Sequence, residues 1–277
     1  MPDAPPRFSL VIATRGRPKV LGETLASAAR CDPRPSEVIV VDGDGSGSAE
    51  PVARAAGARY RRSAPGLTVQ RNAGLDLAQG DVVVFVDDDT ELHPRLFAAL
   101  ADAYRDPDVL GVTGPVVDRD LRRFGNMRSR WRRLLPGGGR EGSRERDVEY
   151  MLGGLMTARR DAALQVRFDE RLADYGLLED EDFSYRLSRL GRIRFAPSAS
   201  VVHRNVAAAR KREREFNRMV VVNRAYLFRK NFRRTPLARF QFALLVAVLL
   251  VHRALNGEWS GVRGLLEGSV EAWRARP

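Results

Sequence analysis

At 277 residues the chain is long enough for one large domain or two small ones, and its 44% hydrophobic content excludes a disordered or fibrous main state. A single cysteine, Cys31, excludes a disulfide framework and a thiolate metal cage, and suits a reducing compartment. Forty-seven bases against 35 acids leave a net charge of +12; only Lys19, Lys211 and Lys230 are lysines, so the arginine bias is compositional and not every arginine is a phosphate contact.

The first residues, Met-Pro-Asp-Ala-Pro-Pro, place no apolar segment behind a basic start, so the expectation is a cytosol-side protein without a signal peptide. Phe8 to Ala13 is a short apolar run ended by Thr-Arg-Gly-Arg-Pro, a strand and a turn. Pro18 to Arg30 carries Val20, Leu21, Leu25 and Ala28 at helical spacing, and Glu37 to Val41 is a second strand running into the glycine-rich loop after Asp42. Glu50 to Ala56 and Thr68 to Ala78 read as helices, Ala58 to Arg61 as a short strand, and Asp81 to Val86 as the most buried strand. Continuous apolar strands separated by helices imply an α/β fold with a mostly parallel, Rossmann-like central sheet covered on both faces. Pro94 then opens a helix.

Val116 to Tyr150 is basic and glycine-containing, which reads as a mobile loop with one amphipathic turn around Trp131. Tyr150 to Thr157 returns to a strand pattern around Gly153-Gly154. Glu179 to Arg189 is a helix with Phe183, Leu187 and Leu190 on one side, followed by short strands at Ile193 to Phe195 and Ser200 to His203. Residues 1–205 thus form a catalytic-type α/β domain and residues 206–277 a helical, basic extension.

Several acids are placed where chemistry is done. Asp87-Asp88-Asp89 follows the buried strand, and open parallel sheets bind ligands beyond the carboxyl ends of their strands. Three carboxylates there repel one another unless a hard cation such as Mg²⁺ or Mn²⁺ is bound; an acidic turn capping the next helix is the alternative. Asp42, at the same edge, can accept hydrogen bonds from a nucleobase or ribose, or merely open an Asx turn. Thr14 and Arg15 end the first strand and face the same crevice; Arg71 meets a diphosphate or base, or forms a surface salt bridge. Glu179-Asp180-Glu181-Asp182 satisfies the helix dipole, and helical spacing leaves Asp180 free to point into the crevice. His203 either is structural or completes an oxygen-plus-imidazole metal site.

Together, Val11-Ile-Ala-Thr-Arg-Gly-Arg-Pro, Val40-Val-Asp-Gly-Asp-Gly-Ser, Arg71-Asn-Ala-Gly, Phe85-Val-Asp-Asp-Asp, Gly153-Gly154, Glu179-Asp-Glu-Asp-Phe-Ser-Tyr-Arg-Leu and His203 resemble the family 2 glycosyltransferases over residues 8 to about 205. The resemblance implies a GT-A fold, a nucleotide-diphosphate sugar donor, a hydroxyl acceptor, Mg²⁺ or Mn²⁺, and inversion at the anomeric carbon. It implies that Asp42 binds the nucleobase, that Asp87 and Asp89 with His203 hold the metal, and that Asp180 is the general base. Thr14, Arg15, Arg71, Asp87 and Asp88 then line the donor site. Three departures stand out: Asp42-Gly-Asp-Gly-Ser replaces the commoner Asp-Asp-Gly-Ser, Leu155 stands where asparagine often follows the paired glycines, and no Gln-x-x-Arg-Trp signature of polymer synthases is present.

Residues 204 to 239 hold twelve bases against Glu213 and Glu215, a net +10, followed by thirteen residues without formal charge, Phe240 to His252. A helix of that length is about 20 Å, too short to span a hydrocarbon core of roughly 30 Å. The pattern reads as an anionic-membrane attachment at the inner face of the cell membrane, close to a lipid-linked acceptor, or as a core helix beside solvated arginines. A nucleic-acid-binding reading lacks stacking aromatics in the basic run, and a sugar nucleotidyltransferase lacks its glycine loop at Ala13-Thr-Arg-Gly-Arg.

Overall fold

The computed structural model describes residues 4–118, 144–172, 176–204, 213–231 and 235–275; the expected turn around Trp131 lies outside them. Two compact units divide the chain, Met1–Val206 and Ala207–Pro277.

In the first unit, β1 (Phe8–Thr14) is buried along its whole length and pairs in parallel with β2 (Glu37–Asp42) on one side and β4 (Val82–Asp87) on the other. Alternation along these strands feeds two cores. Leu10, Ile12, Val40 and Val84 meet Leu21 and Leu25 of α1 (Pro18–Ala29) and Leu96, Phe97 and Leu100 of α4 (Leu96–Ala103). Val11, Ile39, Val83 and Phe85 meet Leu75 of α3 (Leu67–Leu77) and Phe183 and Leu187 of α6 (Glu179–Ser188). Leu190, expected on that face, lies beyond the helix end and is exposed. The unit also contains α2 (Glu50–Ala55), β3 (Arg59–Arg62), β6 (Val109–Thr113), β8 (Arg146–Asp147), β9 (Met156–Arg159), α5 (Arg160–Val166) and β10 (Arg192–Phe195).

The sheet order is β3-β2-β1-β4-β9-β6-β10-β8. It is mostly parallel, as expected, but β9 enters antiparallel between β4 and β6. The strand expected around Gly153-Gly154 starts later: the glycines sit in a turn closed by Leu155 N–H donating to Leu152 O at 2.9 Å, and only Met156 onward joins the ladder. Because β9 is antiparallel, the turn before it lies at the carboxyl end of β4.

A small sheet, β5 (Thr90–Leu92), β11 (Val201–His203) and β7 (Val116–Asp118), forms beside this edge, with His203 paired opposite Thr90. The approach is tight at Gly114, where an added Cβ would lie 1.8 Å from the Ala199 carbonyl oxygen. Gly114→Ala should therefore cost about 3 kcal/mol through backbone overlap. A thermal midpoint unchanged in that variant would contradict the packing described.

The second unit contains α7 (Glu213–Asn231), α8 (Pro236–Leu255) and α9 (Trp259–Arg274). Gly261, Gly264 and Gly268 give α9 a face without side chains, and α7 packs on it: an added Cβ at Gly264 would lie 2.1 Å from Arg214 O, and at Gly268 2.5 Å from Arg218 O. The two helices run parallel, with Arg214 paired to Glu267 and Arg218 to Glu271. α8 starts on a Thr235 cap and holds no buried residue. Its 20 residues make about 30 Å, long and apolar enough to cross a membrane by length and composition. The expectation from thirteen uncharged residues underestimated the helix, because Pro236 and the Thr235 cap start it earlier and Arg253 continues it past His252.

Candidate active site

Strand β4 ends on Asp87, and the turn into β5 carries Asp88 and Asp89. The pairing of β11 with β5 brings His203 to the same point, so that Nε2 lies 2.9 Å from Asp89 Oδ1 and 3.6 Å from Asp87 Oδ2. One ligand atom from each of the three residues falls within 4.8 Å of the others. The Asp87 and Asp89 carboxylates accept from the protonated His203 ring, favour that form and push its pKa up to about 10. Two carboxylates and one imidazole are a donor set that fits Mg²⁺ or Mn²⁺, and a cation there would replace the proton that now neutralises the acids.

Asp88 turns the other way. It is fully buried and accepts from Thr14 Oγ1 at 2.6 Å and from Arg17 Nε at 3.1 Å, with a second contact to the same guanidinium. Burial pushes its carboxyl up to about 6, while Arg17 and Thr14 pull against that. Thr14 and Asp88, expected to line the donor site, bond each other, because the middle side chain of the turn points away from the Asp87–Asp89–His203 cluster. Arg17 also lies 3.7 Å from Asp89 Oδ2, and the Arg204 backbone N–H donates to Asp89 O at 3.0 Å, so a buried shell fixes the turn.

Asp42 is also fully buried, with Oδ2 accepting from Tyr60 Oη at 2.9 Å and Oδ1 from the Asp44 N–H at 2.8 Å. The Asx-turn geometry is realised, and Tyr60 covers the carboxylate that the family resemblance assigns to the nucleobase. Gln70 ties the ends of β1 and β2 by donating to Thr14 O and Val41 O at 2.7 and 2.9 Å. Arg15 remains exposed at the strand end.

Arg71 departs most from expectation. It is 1% exposed and does not reach the surface. Nη1 donates to Glu179 Oε1 at 2.7 Å; Nη2 donates to Asp87 Oδ1 and to Gly153 O, both at 3.1 Å. One buried guanidinium thus joins the metal-type strand, the glycine turn and the acidic helix. Burial and the nearby Asp180 and Asp87 outweigh Arg71 at Glu179 and push its carboxyl up to about 8.

Helix α6 begins after Leu178, which takes a left-handed φ of 73°. That turn sets the four acids in different surroundings. Asp182 is buried against Arg186, with Nε 2.9 Å away. Asp180 accepts from the Gly153 N–H at 3.2 Å and the Glu181 N–H at 2.9 Å, stays partly exposed, and has its pKa raised by burial. Arg17, Tyr60, Gln70 and Gly153 were not singled out as site residues; Arg17 and Gly153 sit in the quoted motifs, whereas nothing local marks Tyr60 or Gln70.

The model of glycosyl transferase family 2 matches residues 9–167, more than half of the chain. An uncharacterized protein of Mycobacterium tuberculosis (strain CDC 1551 / Oshkosh) is 28% identical over 190 residues, which cover 62% of this chain and 59% of that protein, so the chain spans under two thirds of the relative's length. Among solved structures, a mannosyltransferase from Pyrobaculum calidifontis, in complex with GDP-Man and Mn²⁺, superposes with a TM-score of 0.62 at 17% identity, covering 99% of this chain and 89% of that one. Glucosyl-3-phosphoglycerate synthase from Mycobacterium tuberculosis, solved with Mn²⁺, UDP and glucosyl-3-phosphoglycerate, gives 0.54 at 21% identity, covering 82% of this chain and 80% of that one. These structures share the GT-A fold with the chain. By the family match and the fold around its acidic strand end, the chain belongs to glycosyl transferase family 2.

Proposed function

We propose that the protein is a metal-dependent, inverting glycosyltransferase that moves a sugar from a nucleotide-diphosphate donor to a hydroxyl acceptor. The observation that carries this reading is one chain of contacts. Asp87 belongs to the Asp87–Asp89–His203 cluster and accepts from Arg71; Arg71 also donates to Gly153 O; the Gly153 N–H donates to Asp180. The metal-type cluster and the Asp180 carboxylate are thereby tied to one residue of the glycine turn.

Asp87, Asp89 and His203 would hold Mg²⁺ or Mn²⁺, which when bound stabilises negative charge developing on the leaving diphosphate. The protein's own groups do the rest. Asp180 takes the proton of the acceptor hydroxyl as it attacks, and the raised pKa that burial gives it makes it a stronger base than a solvated aspartate. Gly153 and Glu181 fix its two oxygens through their N–H groups. Arg15, exposed at the end of β1, meets the donor's phosphates on this reading. On this reading the acceptor is a lipid-linked carrier or a cell-envelope glycan precursor at the inner membrane face. The support is the basic and apolar composition of residues 206–277.

Transfer from a panel of nucleotide sugars should vanish in excess chelator and return with Mn²⁺ or Mg²⁺; full activity in chelator would refute the metal role. The cation must also displace the His203 proton. With the imidazolium favoured up to about pH 10, Mn²⁺ affinity measured calorimetrically should rise about tenfold per pH unit between pH 7 and 9. A flat profile would remove His203 from the ligand set.

A further inference from the structure

We propose that the exposed face of α8 is a docking surface for an anionic lipid bilayer, in whose headgroup–acyl boundary the helix lies flat. Leu237, Phe240, Leu244, Val248, Val251 and Leu255 recur every three or four residues along α8 and are between 51% and 83% exposed. This is a one-sided apolar stripe over the whole helix. Arg239 and Arg253 fall on other faces, and Phe242 turns inward to stack on Phe228 at 5.4 Å. The stripe is thus sorted from the charges, as a helix in the interface plane requires.

Charge selects the occupant. Residues 207–277 carry fifteen bases against five acids, a net +10 of the chain's +12. A second copy laid on the stripe would bring two such units together and repel. Anionic headgroups attract them.

The neighbouring helices decide between lying and crossing. Phe228–Phe242 stacking holds one end of α8 to α7, and Arg253 Nη1, 3.9 Å from Glu213, holds the other. Helix α7 carries Arg218, Arg224 and Arg229 along its length, and α9 carries Arg263, Glu267 and Glu271. Were α8 to cross, these charges would enter hydrocarbon beside it. In the interface plane they stay in water. On α9 a second exposed stripe, Trp259, Leu266, Val270 and Trp273, lies opposite the glycine face that packs on α7. Its two tryptophans suit the headgroup level.

The test is co-sedimentation of the full chain with vesicles of phosphatidylglycerol and phosphatidylcholine, against phosphatidylcholine alone, beside the L244E/V248E variant. Both positions are exposed, so the fold should survive, as circular dichroism can verify. Binding to the anionic vesicles that the double variant weakens on the order of 10²-fold supports the proposal. Three outcomes overturn it: no vesicle binding at low salt, vesicle binding unchanged in the variant, or a wild-type dimer in light scattering that the variant splits. The assay needs neither donor nor metal, so its failure leaves the glycosyl-transfer reading standing.

Discussion

Replacing Asp180 by asparagine should lower the transfer rate by about 10²–10⁴-fold while leaving nucleotide-diphosphate binding intact. Asparagine keeps the shape and, with its carbonyl oxygen, one of the two N–H bonds that Gly153 and Glu181 give to separate oxygens of Asp180, but it cannot take a proton. The paired readouts are turnover and calorimetric titration with the diphosphate. Glu179→Gln and Asp182→Asn are the controls, since both acids are buried against arginines. A variant at Asp180 that turns over normally, beside a dead one at Glu179 or Asp182, would move the base along the helix.

Arg71→Met should give the largest loss of stability. It leaves Glu179 buried and Asp87 half-buried without the guanidinium that both share. Removing one partner of such a group costs about 3–5 kcal/mol, which lowers the thermal midpoint by roughly 6–20 °C for a unit of this size. The loss should depend on pH in a fixed direction. Glu179 has a folded pKa near 8 even with Arg71 present, above its ordinary value of 4.5. The folded state therefore binds the proton more tightly than the unfolded state, and stability falls as pH rises through that window. Without Arg71 the Glu179 pKa rises further, so the fall continues above pH 8 and the deficit at pH 9 should exceed that at pH 5. Pairing the change with Glu179→Met should recover most of the loss in a double-mutant cycle. Denaturant unfolding of the four proteins measures it; equal stability of Arg71→Met and the parent would refute the shared buried cation.

The strands of the first unit were legible because their apolar runs are continuous, and the acidic strand end was legible because three adjacent carboxylates have few other uses. The role of His203 depended on a pairing with Thr90 across more than a hundred residues, which no local pattern encodes. Arg71 was harder still. Gln70, Arg71 and Asn72 are consecutive polar residues on a helix, which locally describes a solvated face, yet all three are buried by contacts to β1, β2, β4 and the segment around Phe168. Asp88 and Thr14 were misplaced because adjacency in sequence does not fix side-chain direction at a tight turn. Formal charge marks only the middle of α8, whose ends are set by the Thr235 cap and by the helix continuing through Arg253.

The antiparallel entry of β9 also governs how the site is assembled in time. β1 and β2 pair across about thirty residues, whereas β9 must return across roughly seventy to meet β4. Closing the longer loop costs more chain entropy before any contact repays it. The edge that carries Asp42 can therefore form early, while the Gly153 turn and the helix bearing Asp180 depend on a late, long-range closure. Asp180, the proposed base, thus depends on the longer closure, and slowing that step should delay activity more than it delays formation of the first strands.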